Sequence, residues 1–198
     1  AYGDNSTAFG LSNVTAGGGS LAFGNANTAA GLYSITVGSY NLASGSSSSA
    51  FGNSNSAQGA VSSAFGLGNI ASGIASSAFG YRGNASGTNS LVFGGWLDRN
   101  DDGNFNADEG TTASGKSSVA IGGGVSASGT YASGFGVDNL AAGVSSVAVG
   151  YGNRASAANA VAIGNYAVAG NRGALAMSTF FVGEGVVFDV DTDGDSVN

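Results

Sequence analysis

A 14-residue repeat, held in phase along almost the whole chain of 198 residues, decides what this sequence can fold into. Ser-x-Ala-Phe-Gly occurs at Ser6–Gly10, Ser20–Gly24, Ser62–Gly66 and Ser76–Gly80, spaced by 14 or its multiples. The large apolar column continues as Phe9, Phe23, Val37, Phe51, Phe65, Phe79, Phe93, Ile121, Phe135, Val149, Ile163 and Met177. A glycine follows nearly every one of them, from Gly10 to Gly164. An alanine column runs from Ala29 to Ala169, and a second glycine column from Gly17 to Gly143.

Fourteen residues are too few for helical repeat units, which need about 33 or more. They suit two short strands and two tight turns. Leu21-Ala22-Phe23-Gly24, Val119-Ala120-Ile121-Gly122 and Val161-Ala162-Ile163-Gly164 alternate large and small with period two, the mark of a strand. The glycines are expected where the chain turns with positive φ. Stacked coils would pair each strand with its equivalents above and below, a ladder that proline would break, and the chain has no proline. The expected fold is an all-β parallel solenoid of 14-residue coils, with twelve rungs giving a rod of about 58 Å at the ~4.8 Å strand spacing.

The interior of so short a coil is thin. Alanine, serine and glycine, which make up half the chain, fit it; stacked phenylalanines fit poorly. With small residues inside, Phe23, Val37, Phe65, Phe79, Phe93, Val119, Ile121, Val147, Val149, Val161 and Ile163 form a long apolar stripe outside, joined by Leu21, Ile35 and Leu91. Monomers rarely expose a patch of that size, and self-association about the rod axis would cover it. These positions are the expected oligomer interface. A monomeric solenoid with the large residues inward is the alternative.

Composition removes other classes. The chain has no cysteine and no histidine, which excludes disulfides, thiolate or imidazole metal sites and Ser–His–Asp or Cys–His catalysis. Five basic against twelve acidic residues argue against nucleic acid as a partner. No apolar run approaches the ~18 residues of a membrane span, and no membrane contact by this segment is expected. Only Asp4 and Asp138 lie outside two acidic segments, too little for paired-carboxylate hydrolysis, so no enzyme is expected. Scattered threonines disfavour an ice-binding array, and the RTX nonapeptide is missing.

Ser118-Val119-Ala120-Ile121-Gly122 and Ser146-Val147-Ala148-Val149-Gly150 resemble the repeat of the YadA-like head domains of trimeric autotransporter adhesins, and most other rungs keep the alanine, the large apolar residue and the glycine. The resemblance covers about residues 5 to 178 outside one insertion. It implies a left-handed parallel β-roll, a homotrimer with the Val and Ile positions turned to its interior, and attachment of a cell to a surface or matrix ligand. Phenylalanine stands for isoleucine in six of the first seven rungs, a departure that alters the packing there. The implied location is extracellular, on a bacterial outer-membrane surface; similar repeats in phage fibres leave a virion fibre as the alternative.

From Phe93 to Ile121 the spacing doubles. The added stretch matches the calcium-loop pattern D-x-[DN]-x-[DN]-G-x5-E at each specified position from Asp98 to Glu109. Calcium takes six to eight hard oxygens. Asp98, Asn100 and Asp102 would supply side-chain oxygens, Gly103 the sharp turn, Asn104 its carbonyl, Asn106 a direct or water-mediated contact, and Glu109 a bidentate closure. An Asx-rich hydrophilic loop without an ion is the alternative. The expectation is an EF-hand-like loop within 96–111, grafted on a β-roll head spanning 1–177, with Ca²⁺ in a structural role. Trp96 is expected to pack beside it.

Residues 178–198 are expected to form a cap or neck-like acidic tail. Phe180-Phe181-Val182 and Val186-Val187-Phe188 read as a strand pair or lid over the last coil. Asp189, Asp191, Asp193 and Asp195 repeat the first half of the calcium loop and make a candidate second metal site lacking its closing acid. The acids are concentrated: residues 98–109 carry five with one arginine, residues 184–195 carry five, and the rest of the chain holds two acids and four bases. Asn5, Asn13 and Asn84 open sequons that composition alone explains, and the tyrosines are expected at turns. The function these features support is a stiff multivalent adhesin head stabilised by calcium; a structural fibre segment is the alternative.

Overall fold

The structure is a computed structural model; it describes residues 1–106 and 108–178, and the backbone of Phe188–Val190. These residues form an all-β parallel solenoid, and no helix occurs among them. Each coil holds one long and one two-residue strand. The long strands are Thr7–Leu11, Leu21–Asn25, Ile35–Ser39, Ser49–Asn53, Ser63–Leu67, Ser77–Tyr81, Leu91–Gly95, Val119–Gly123, Ser133–Val137, Val147–Tyr151, Val161–Asn165 and Leu175–Ser178, stacked in chain order. The two-residue strands run from Val14–Thr15 to Val168–Ala169 and form a second, eleven-stranded sheet. Pairing never slips: Phe9 lies beside Phe23, Phe51 beside Phe65, and Ala71 beside Ala85.

Alternation in the long strands sets the faces. Ala22, Ala50, Ala64, Ala78, Ala120, Ala148 and Ala162 point inward and are fully buried, opposite Ala29, Ala43, Ala57 and their equivalents from the second sheet. Phe9, Phe23 and Phe93 stand outside with 63%, 43% and 58% of their surface exposed. Neighbouring rings stack along the outside, with centroids 4.7 Å apart for Phe9–Phe23 and 4.8 Å for Phe51–Phe65. The small-inside arrangement expected from coil size therefore holds. Serine is expected in this interior; asparagine is not. Asn27, Asn41, Asn55 and Asn69 are buried in one column, and serines such as Ser34, Ser48 and Ser62 in another.

The asparagine column is a ladder. Asn41 donates to Asn27 Oδ1 through its backbone N–H and its Nδ2, each at 3.0 Å. The same Nδ2 lies 3.0 Å from Val37 O and 2.8 Å from Gly52 O, so one side chain binds three successive coils. Buried amides need such partners, because an unpaired one costs about 1–3 kcal/mol. The ladder starts at Asn13, which locates that sequon in structure rather than glycan chemistry. It stops at Gly83 and resumes with Asn139 and Asn153.

Positive φ explains only one of the two glycine columns. Gly24 has φ of 121°, and a Cβ there would lie 2.0 Å from Gly38 O. Gly31, in the second column, keeps an ordinary φ; it is glycine because a Cβ would lie 1.9 Å from Gly45 O. Close approach of stacked backbones, and not turn geometry, selects it. Left-handed turn positions fall mainly to other residues, among them Tyr33, Tyr40, Val61, Arg82, Asp138 and Tyr166. Each costs about 1–2 kcal/mol in isolation. Backbone hydrogen bonds between coils, such as Tyr40 N to Asn25 O at 3.0 Å, hold them in place. Not all tyrosines sit at turns, since Tyr81 and Tyr151 end long strands.

The insertion does not displace a rung. Leu91–Gly95 pairs directly with Val119–Gly123, and Asn84–Ala85 with Thr112–Ala113. The extra residues leave and rejoin one coil at the corner between its two strands, where an antiparallel bridge joins Trp96 to Gly110. At the far end, Phe188–Val190 pairs antiparallel with Leu175–Ser178, covering the last edge of the long-strand sheet. The remaining residues of the expected cap, 179–187 and 191–198, lie outside the described residues.

Candidate functional site

The 96–111 insertion concentrates the polar chemistry of the described residues. Its base is closed by Leu97 N donating to Glu109 O at 3.1 Å, beside the Trp96–Gly110 bridge. Within the loop, Gly103 N donates to Asp98 Oδ2 at 2.9 Å and Asn104 N to Asp102 Oδ1 at 2.6 Å. Asn100 Nδ2 donates to Asp102 Oδ2 at 3.0 Å. Gly103 takes φ of 70°, the sharp turn assigned to it.

Glu109 is 2% exposed. Its Oε2 accepts from Trp96 Nε1 and Asn106 N, both at 3.0 Å, and its Oε1 from Arg99 N at 3.1 Å. Burial alone pushes its carboxyl up; the donations from Asn106, Trp96 and Arg99 outweigh that and hold it below the usual carboxylate range. Trp96 therefore packs beside the insertion and also orients its deepest acid.

The six candidate calcium ligands thus share one loop, with Asn104 and Asn106 between the two ends. Among the described residues no three carboxylates converge as a ready-made metal cluster. Much of the acceptor capacity is turned on the loop's own N–H groups. Two features fit a hard cation nonetheless. Asp98 Oδ1 is buried without any hydrogen-bond partner, a state that costs a carboxylate dearly in the absence of a positive charge. Glu109 Oε1 accepts a single N–H, leaving a lone pair unused. The donor set is all oxygen, which suits calcium and magnesium and not the softer metals. Of the second candidate set, only the backbone of Asp189 is described, on the capping strand; Asp191, Asp193 and Asp195 fall outside the described residues.

The loop is fastened to the rod on both sides. Toward later coils, Arg99 Nε donates to Asp138 Oδ1 at 2.8 Å, its Nη2 lies 2.6 Å from the same oxygen, and Nη2 donates to Gly124 O at 2.9 Å. Its Nη1 donates to Asp108 O. Asp138 is thereby committed to structure. Toward earlier coils, the Arg82 guanidinium lies 4.4 Å from the centre of the Phe105 ring and 5.4 Å from that of Tyr81. The sequence offered no signal for these contacts, because they join residues of different coils across a unique insertion.

On the opposite sheet, the expected interface positions all remain outside the coil interior. Phe23, Phe93 and Ile163 are exposed; Val37, Phe65, Phe79, Val119, Ile121, Val147, Val149 and Val161 are half-buried by their stacked neighbours. Along this face the Phe51–Phe65–Phe79–Phe93 rings follow one another at 4.8, 5.3 and 5.9 Å.

A family model described as the YadA head domain repeat (2 copies) matches residues 1–25, 71–95, 109–124, 127–153 and 141–167, together more than half of the chain. No curated protein matches the chain at a significant level.

Proposed function

The chain belongs to the YadA head domain repeat family, and from that premise we propose that it is the head of a trimeric surface adhesin. The family is an adhesin-type repeat and not an enzymatic one, and YadA-type heads are displayed on the cell surface. The observation that carries the proposal is the unbroken outward column of Phe, Val and Ile on the long-strand sheet. A column of this length finds its cover in two further copies of the same rod, which bury identical faces around a common axis. Three stiff rods present every outward feature three times, and weak contacts add through avidity.

Calcium belongs to this reading as a structural ion. Asp98, Asn100, Asp102, Asn104, Asn106 and Glu109 would hold it, and it would neutralise the charge gathered in the loop. With that charge balanced, the loop can stay docked between Arg82 and Asp138. The adhesive reading is tested by coating beads with the protein and measuring their attachment to cells and to extracellular matrix. Attachment that rises steeply with coating density supports it; no attachment to any surface above bare beads overturns it.

A further inference from the structure

Beside the insertion lies an open groove of about 480 Å³, within the range of small-ligand sites. Its floor is Leu67 and Ile70, 44% and 41% exposed. Tyr81 and Phe105 stand in its wall, and Arg82 reaches across them. We propose that this groove binds a carboxylated pyranose, the acidic unit of a surface glycan. The assignment takes its biological use from the adhesive reading above and supplies the ligand class for it.

The arrangement selects for that chemistry in three ways. Arg82 is the cation of the groove, and among the described residues the salt bridge is Arg99–Asp138; no carboxylate pairs with Arg82. The guanidinium lies over the Phe105 ring, 4.4 Å from its centre, and donates to no described residue, which leaves its N–H groups for bidentate binding of a carboxylate. Leu67 and Ile70 offer an apolar floor to the C–H face of a sugar ring. Asn84 lines the same groove; its Oδ1 is buried out of reach, but its Nδ2 donates to no described residue and can meet a sugar hydroxyl. A polyglutamate peptide would satisfy the arginine but carries no apolar ring face for the floor.

The groove is also well placed for presentation. Ile70, Asn84 and Thr112 point outward from the two-residue strands, whose inward members are Ala71, Ala85 and Ala113. Leu67 and Tyr81 end the long strands of Phe65 and Phe79, so the groove borders the phenylalanine face, and trimer formation through that face would leave its Ile70–Asn84–Thr112 side open. Phe105 comes from the calcium loop itself, so whatever orders the loop also builds the site.

The test is calorimetric titration of the full chain, in calcium buffer, with 3′-sialyllactose, lactose and a short glutamate peptide. The wild type is expected to bind sialyllactose at least tenfold more tightly than lactose or the peptide. Arg82→Gln, at an exposed position, should keep the circular-dichroism spectrum of the β-solenoid and lose the discrimination. Lys116→Gln, a charge loss outside the groove, should keep both. Equal affinity for sialyllactose and lactose, tighter binding of the peptide, absence of sialyllactose binding at millimolar concentration, or discrimination surviving in Arg82→Gln would each overturn the assignment. Beads that still attach while sialyllactose fails would locate the failure in the groove and leave the adhesive reading standing.

Discussion

Val92 occupies the space that the side chain at position 83 gives up: a Cβ on Gly83 would lie 2.7 Å from Val92 Cγ1. Position 83 continues the buried asparagine column, and position 92 the buried alanine column. The exchange is repeated in reverse at Val125, which replaces an asparagine, and Gly134, which replaces an alanine, with a Gly134 Cβ falling 2.5 Å from Val125 Cγ1. Both pairs conserve volume in an interior that tolerates neither voids nor crowding.

The first pair should therefore behave as a unit. Val92→Ala leaves a cavity and should cost about 2 kcal/mol. Gly83→Asn alone should cost about as much by overpacking. The double variant restores the ladder and the alanine column, and its loss should fall well below the sum of the two. Denaturant unfolding of the four proteins measures the coupling; strictly additive losses would contradict the pairing.

Asn55 and Ser62, one from each polar column, should respond oppositely to alanine. Asn55 is tied to Asn41, Phe51 and Gly66, and its loss leaves the buried Asn69 N without its acceptor, while Asn69 Nδ2 keeps Phe65 O and Gly80 O. Asn55→Ala should cost about 2–3 kcal/mol. Ser62 Oγ has no partner, and Ala132 already stands at an equivalent position. Ser62→Ala should be neutral or stabilising, so a midpoint drop as large as that of Asn55→Ala would refute the distinction.

Much of this was legible in advance, and the reason is geometric. The period-two run around Phe23 and the small interior of a 14-residue coil together dictate that Ala22 faces in and Phe23 faces out. The asparagine ladder escaped notice although Asn13, Asn27, Asn41, Asn55 and Asn69 recur at the same period. Asparagine reads as a turn former, and only the coil-to-coil hydrogen bonds reveal it as interior. Gly31 was misjudged for a related reason: a sequence records the absence of a side chain, and the stacking contact that demands the absence lies one coil away. The docking of the insertion through Arg82 and Arg99 has no periodic signal at all.

Val61 holds φ of 58°, a left-handed conformation that β-branched residues resist. Val61→Asn or Val61→Gly should raise stability by about 1 kcal/mol, since the native backbone is unchanged and the strain is removed. The same substitution at Gly31 in the sense Gly31→Ala should be severely destabilising, because Gly45 O occupies the place of the new Cβ. Thermal midpoints of the three variants check both directions.

The calcium loop makes its own prediction. Calorimetry should record calcium uptake by the wild type and none by the Asp98→Ala, Glu109→Ala double variant. At a hundredfold excess over its dissociation constant, calcium should add about 2.7 kcal/mol to folding stability. Trp96, the single tryptophan, contacts Glu109 and should report binding through its fluorescence. Identical uptake by wild type and double variant would show that the ion, if any, sits elsewhere.

The account depends most on the covering of the outward apolar column, and sedimentation equilibrium tests it directly. In calcium, the wild type should sediment as three chains of 18.9 kDa. A Phe65→Asp, Phe79→Asp variant, which places charge in the stripe without touching the coil interior, should sediment as one folded chain. A wild type that remains a single chain at micromolar concentration in calcium, or a double variant that stays trimeric, would contradict it.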